Sequence, residues 1–189
     1  GLEGCYGGFP FPIPKTGTQV MWNHLLQFEL PYLDGGTTNN LVIPTSGPPV
    51  EQGFTRLIYS YPYYDPTRTT PIDSNAVFWM VRTSDISPAR KAGGSVVLID
   101  SLNMVNIGRR AYQYIPGQRR VKLAPDLVYD TPSPYSGGSA TMDDQKVFLG
   151  AMDRFEWKLI GKKEKYIPYN NYKVNDHSLC PPEVLGSTK

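Results

Sequence analysis

The chain is poor in the side chains on which most enzymes and metalloproteins are built. Its 189 residues include two histidines, His24 and His177, and two cysteines, Cys5 and Cys180. The histidines lie 153 positions apart and no Gly-x-Ser-x-Gly occurs, so nucleophilic catalysis has no framework. A metal site would need Cys5, His24, His177 and Cys180 to converge without a familiar ligand spacing. Gly7-Gly8, Gly93-Gly94 and Gly137-Gly138 lack the Lys-Ser/Thr that follows a phosphate loop. Asp143-Asp144 reads as a helix start rather than an acid/base pair. The sequence therefore predicts no catalytic residue, no metal and no cofactor, and a protein that is not an enzyme. Charge is also scarce, at 19% of residues with a net of +2, which argues against nucleic acid as a partner. No run of about 18 apolar residues is present to cross a bilayer as a helix. Sparse Ala, Glu and Lys exclude a helical bundle. The first residues carry no basic n-region and apolar h-region, so the chain reads as a mature protein or an excised piece.

What is abundant is aromatic: 13 Tyr, 7 Phe and 3 Trp, with 18 Gly and 18 Pro, a composition of strands and turns. The opening Gly7-Gly8-Phe9-Pro10-Phe11-Pro12-Ile13-Pro14 predicts an extended arm over residues 1–14. Hydroxyl caps at Thr16 and Thr18 then open a helix running to about Glu29, stopped by Pro31. Val20, Met21, His24, Leu25 and Phe28 share one face, and His24 reads as a hydrogen-bonded core histidine. The opposite stripe, Gln19, Asn23 and Gln27, is uncharged, so this helix should be covered on more than one side. Period-two patterning predicts strands over 54–61, 76–83, 96–99, 111–115 and 119–123, the last two joined by the hairpin signal Pro116-Gly117-Gln118. A further strand is expected over 155–159, a short helix over 142–150, and an extended aromatic stretch over 166–172. The fold class is thus mostly β, α+β: an antiparallel meander or open barrel with one or two helices. The domain should span 15–173, followed by a polar tail over 174–189. Cys5 and Cys180 stand near opposite ends, and whether they bridge is open.

Residues 1–80 carry a net −3 and residues 81–189 a net +5. Arg109, Arg110, Arg119, Arg120 and Lys122 lie on both arms of one hairpin with Tyr112 and Tyr114 between. The four arginines are candidate contacts to lipid head groups or an acidic partner; the plainer reading is that they solvate an exposed face and guard an edge.

Three strings carry a family resemblance. They are Gly7-Gly8-Phe9-Pro10-Phe11-Pro12-Ile13-Pro14-Lys15 leading into Met21-Trp22-Asn23-His24-Leu25-Leu26; Tyr114-Ile115-Pro116-Gly117-Gln118-Arg119-Arg120-Val121; and Asp153-Arg154-Phe155-Glu156-Trp157-Lys158-Leu159-Ile160-Gly161-Lys162-Lys163-Glu164 with Tyr166-Ile167-Pro168-Tyr169-Asn170-Asn171-Tyr172. Over most of residues 7–173 the chain resembles a large bacterial family of secreted domains of unknown function, often labelled outer-membrane lipoprotein-sorting-like. The resemblance implies a fold similar to the lipoprotein-localisation carriers: a strongly curved antiparallel sheet, an incomplete barrel, with helices on its concave side. It implies a longer parent protein, a periplasmic location with outer-membrane association, and outer-membrane or exporter proteins as partners. It carries over no catalytic residue.

Two functions follow. In the first, the protein is a periplasmic carrier or accessory protein for lipids or other lipophilic molecules, lined by Trp22, Leu25, Leu26, Phe28, Trp79 and Met80. In the second, it is a structural interaction module of the envelope whose Pro-Phe-Pro arm and Tyr-rich loops dock a protein.

Overall fold

Strand pairing follows the sequence order throughout the computed structural model, which describes residues 9–185. Six strands, β1 (Tyr32–Val42), β2 (Val50–Ser60), β3 (Val77–Asp85), β4 (Ser95–Ser101), β5 (Arg109–Ile115) and β6 (Arg120–Leu123), form one antiparallel sheet in the order β1-β2-β3-β4-β5-β6. Among the described residues β1 and β6 do not pair with each other, so the sheet is an open meander and not a closed barrel. Two short helices, α1 (Gly17–Leu25) and α2 (Pro182–Leu185), complete a mostly β fold. Strands β2 to β6 occupy the five period-two segments that open at residues 54, 76, 96, 111 and 119, shifted by a few residues at their ends. The Pro116-Gly117-Gln118 connection is a single 3-10 turn, closed by Arg119 in the left-handed region at φ 49°.

Three expectations fail, each for a physical reason. Strand β1 was not anticipated, because Asp34-Gly35-Gly36 and Asn39-Asn40 have turn composition. The pairing of β1 with β2 shifts register between Asp34 and Thr37 and between Asn40 and Leu41, so the strand absorbs these residues as irregularities. The short helix expected over 142–150 does not form. Its opening carboxylates are used locally: the Thr141 N–H donates to Asp144 Oδ2 at 2.7 Å and the Thr141 hydroxyl to Asp143 Oδ1 at 2.6 Å. The strand expected over 155–159 is irregular chain. Phe155 and Trp157 close instead on Phe148 in a three-ring cluster, edge to face, with centroids 4.9–5.6 Å apart.

Helix α1 begins as its sequence asks, with the Thr16 hydroxyl accepting from the Gln19 N–H at 3.2 Å. It ends at Leu25, a turn earlier than expected, as the Leu26 N–H closes on Trp22 O and the Gln27 carbonyl takes the Tyr64 hydroxyl. The uncharged stripe has its explanation in Asn23. Its Oδ1 accepts from the Phe11 N–H at 2.9 Å and its Nδ2 donates to the Phe11 carbonyl at 2.7 Å, so the proline-rich arm is held along the helix. A side-chain amide supplies both partners that a peptide group needs, and a charged residue would supply only one. At the helix start a Cβ on Gly17 would stand 2.3 Å from the Trp157 carbonyl carbon; glycine is needed for the 157–158 backbone to pass. The helix is thus covered on more than one side.

Register fixes the two faces of the sheet. One face carries the row Trp79, Asp100, Arg109, then Tyr59, Val81, Leu98, Ala111, then Leu57, Thr83, Val96, Gln113. This face meets the core supplied by Leu25, Leu26, Met104, Tyr129, Met142, Leu149 and Met152. The other carries Ile58, Arg82, Val97, Tyr112 and Leu123 in one row and Met80, Ile99 and Arg110 in the next. Each core side chain of this size contributes roughly 1.5–3 kcal/mol by leaving water.

Candidate ligand-binding cavity

Side-chain size tapers along the covered face. On β3 it runs Trp79, Val81, Thr83, Asp85, and on β4 from Leu98 to Val96. At the small-residue end the chain segment 133–146 crosses the sheet and leaves a cavity of about 500 Å³. Its floor is Thr55, Leu57, Tyr59, Val81, Thr83, Val96 and Leu98, with Asn39, Asn40 and Leu41 of β1 along one side. Its roof is Ser133, Tyr135, Ser136, Met142, Gln145 and Lys146. The volume lies within the ~300–1,000 Å³ usual for small-molecule pockets, and the lining sets aliphatic walls among a larger number of hydroxyl and amide residues. A second cavity, of about 20 Å³, between α1 and Trp79, has room for a single water at most.

Among the described residues Lys146 is the sole charged side chain lining the larger cavity. Its Nζ donates to Glu29 Oε1 at 2.7 Å and to the Tyr61 hydroxyl at 2.6 Å, and lies 4.8 Å from the Tyr61 ring centroid. Burial alone would push the ammonium pKa down, but the bonds to Glu29 and Tyr61 outweigh it and hold it above the ordinary lysine value. Lys146 and Val147 both adopt positive φ, at 52° and 76°, and Val147 is exposed. For a β-branched residue this is a strained conformation. Burial is also the main cause that raises the pKa of Tyr59 and of Tyr135 in the lining; for Tyr135 the Asp85 charge adds to it and a hydrogen bond with Thr83 opposes it.

At the large-residue end the roof is fastened. Arg109 Nε and NH2 donate to the two oxygens of Asp100 at 2.9 and 2.8 Å, with both side chains essentially out of solvent. The same guanidinium donates to Leu149 O at 2.8 Å and Met142 O at 3.3 Å and packs 4.6 Å from the Tyr129 ring centroid. Asp100 Oδ2 also accepts from Trp79 Nε1 at 3.0 Å. Arg154 adds a second tie, to Asp143 at 2.9 Å.

Leu25 and Leu26 are buried in the core and Trp22 packs against it. Phe28 is exposed and meets the Tyr64 ring edge-on at 5.5 Å. Trp79 is fully buried beside Asp100, and Met80 lies on the opposite face of the sheet. None of these six lines the larger cavity, although Leu25 and Trp79 border the small one. Arg109 is not at the surface: it is the buried partner of Asp100, on the face opposite Arg110. Arg110, Arg119 and Arg120 are exposed. His24 Nε2 bonds Phe148 O at 3.1 Å. Whether Cys5 and Cys180 bridge turns on Cys5, which lies outside the described residues, as do Gly7 and Gly8 of the arm. Among the described residues no group of His, Cys, Asp or Glu could hold a metal ion, and no helix is long and apolar enough to cross a membrane.

Residues 1–189 match the family described as "Protein of unknown function (DUF1329)". The chain belongs to the DUF1329 family. Among curated proteins it is similar to "Uncharacterized protein PA3922" of Pseudomonas aeruginosa, with 36% identity over 194 residues. That alignment covers 98% of this chain and 40% of the relative, so the chain spans less than half the length of the protein it matches. No solved structure matches the chain. For this DUF1329 chain, sequence reasoning missed Lys146 and the Thr, Val and Ser residues of the cavity. The available signal was the taper itself: large side chains fill a space, and small ones on the same face leave it.

Proposed function

We propose that the protein is a non-catalytic carrier or accessory protein of the cell envelope that shelters a lipid or other lipophilic molecule in the cavity under segment 133–146. The observation that carries this reading is a hollow of about 500 Å³ with Leu41, Leu57, Val81, Val96, Leu98 and Met142 in its walls. Apolar surface removed from water there contributes roughly 25 cal/mol per Å², with shape and length as the main filters. The hydroxyl, amide and Lys146 groups on the same lining suit the polar end of an amphiphile. In this reading the six strands curve around the ligand with α1 on the concave side. A lipoprotein-sorting-like role then places the protein in the periplasm, beside outer-membrane or exporter proteins. The test is native mass spectrometry of protein purified without detergent, with titration of a fluorescent fatty acid. Bound lipid or saturable probe uptake, weakened at least tenfold by Leu98→Trp, is the expected result. Protein that carries no lipid and takes up no probe overturns the reading.

A second reading, an interaction module of the envelope, is favoured by the stretch 158–179, whose residues are all exposed, Tyr166, Ile167, Tyr169 and Tyr172 among them. Large exposed apolar residues in sequence mark interaction surfaces. Removing 159–172 should then abolish capture of an envelope protein while probe uptake stays unchanged.

A further inference from the structure

The strand registers place the ends of β3 and β5 and the starts of β4 and β6 at one edge of the molecule: Ser84 pairs with Ser95, Ser95 with Tyr114, and Tyr114 with Val121. The two hairpin tips at this edge are in contact, since a Cβ on Gly93 would lie 3.4 Å from the Pro116 ring. Together they carry Arg90, Lys91, Arg119, Arg120 and Lys122, while residues 86–94 and 115–124 contain no Asp or Glu. Among the described residues none of the five forms an ion pair; the salt bridges use Arg56, Arg109, Lys146 and Arg154. The neighbouring acid, Asp85, is partly covered; burial raises its carboxyl pKa, opposed by the charge of Lys91, with which it forms no ion pair. Exposed aliphatic side chains adjoin the cations along the chain, Ile86 at 48%, Val121 at 67% and Leu123 at 59% of full accessibility, and on β6 Val121 and Leu123 alternate with Arg120 and Lys122 on the opposite face.

We propose that these two hairpin tips dock the protein on an anionic lipid surface. A bilayer of acidic lipids offers diffuse negative charge to cations that have no fixed partner, and an apolar layer beneath it for Ile86, Val121 and Leu123. An acidic protein would satisfy the cations but leave the aliphatics to find a shaped pocket. The larger cavity reaches the same edge through Leu41, Thr55 and Thr83, so a docked molecule would present that end of the cavity to the membrane. The docking itself stands on the tips alone and holds whatever the cavity contains.

The experiment is co-sedimentation of the full-length protein with phosphatidylcholine vesicles and with mixed phosphatidylcholine–phosphatidylglycerol vesicles. Binding is expected to the mixed vesicles only, and to fall steeply between low salt and ~0.5 M salt. Each basic residue contributes roughly fivefold in partitioning, so Arg90→Gln/Arg120→Gln/Lys122→Gln together should weaken it roughly a hundredfold. All three are exposed, and an unchanged melting temperature confirms that the variant folds. Should that variant fail to fold, the wild-type salt series decides alone. Equal binding to neutral vesicles, insensitivity to salt, or a folded triple variant that binds like wild type overturns the proposal. Capture by a polyglutamate peptide without vesicle binding also overturns it, and assigns the tips to an acidic protein.

Discussion

The two ends of the covered sheet face are built on opposite principles. At one, Trp79, Asp100, Arg109 and Tyr129 interlock without space for a ligand, and the Arg109 guanidinium, held by two hydrogen bonds to Asp100 of the floor, ties the roof by two more, to Met142 O and Leu149 O. At the other, Thr55, Thr83, Val81 and Val96 face Ser133, Ser136 and Gln145 across open volume. There Tyr135 of the roof is hydrogen-bonded to Thr83 of the floor, and the partly exposed bridge from Lys146 to Glu29 lies between the two ends, since Lys146 lines both cavities. The same sheet and the same crossing segment serve both. What differs is the size of the side chains and where the buried polar bonds are placed. The packed end fixes the segment, and the hollow end is thereby free to stay hollow.

Breaking the packed end should have the largest effect. Arg109→Met leaves the Asp100 carboxylate buried without its partner, and a loss of about 3–5 kcal/mol is expected in urea unfolding. The double variant Arg109→Met/Asp100→Leu should recover most of that loss, because it removes the orphaned charge as well. Next comes volume. Ala111→Leu, beside the packed end, should cost about 1–3 kcal/mol by overpacking. Thr83→Met or Val96→Met, which extend into the hollow, should cost under ~1 kcal/mol while excluding the fatty-acid probe. Equal costs at the two ends would remove the distinction.

How much of this contrast could be read beforehand depends on what each residue does with its neighbours. Alternation located β2 to β5, because those strands carry buried residues and period two is what burial imposes, while β6, exposed throughout, was marked by the Pro116-Gly117-Gln118 turn before it. Membership of a family of unknown function was legible too, from the long strings around Phe9, Tyr114 and Phe155. The same alternation misled at Phe155 and Trp157, where the partner is another aromatic and not a strand. Strand β1 was hidden by Gly and Asn that pair with β2 through irregular register. Large apolar residues such as Trp22 and Trp79 point in sequence to a cavity lining, but Trp79 is buried in the core and Trp22 packs against it. An internal Arg109 was indistinguishable from exposed Arg110, since only the pairing with Asp100 separates them.

Three smaller effects sharpen the comparison. Val147→Gly should stabilise the protein by about 1 kcal/mol, measured as a higher melting temperature, because glycine adopts a φ of 76° without the strain that valine bears. Alkaline pH should loosen the whole covered face. Burial raises the pKa of Tyr59, Tyr61, Tyr64, Tyr129 and Tyr135, and hydrogen bonds to Glu29 and Tyr61, outweighing burial, raise that of Lys146. In each case the native state holds its proton more tightly than the unfolded chain. The stability involved is therefore intact below about pH 10 and lost as pH climbs further. Calorimetry from pH 7 upward should show a level melting temperature to about pH 9 and a fall beyond about pH 10. A protein equally stable at both extremes would contradict this. Asp85→Asn should give the slightest change, a small gain at neutral pH that fades on acidification, because burial raises the pKa of that carboxyl.

A sheet whose neighbours are always consecutive in the chain can be assembled in the order in which it is delivered. Each new hairpin adds to an edge that already exists, and no strand has to wait for a distant one before it can pair. Segment 133–146 is made after all six strands, so the floor of the hollow is finished before its roof arrives. For a chain made one end first, that timetable leaves an interval in which the strands of the floor stand bare before the segment arrives to close over them.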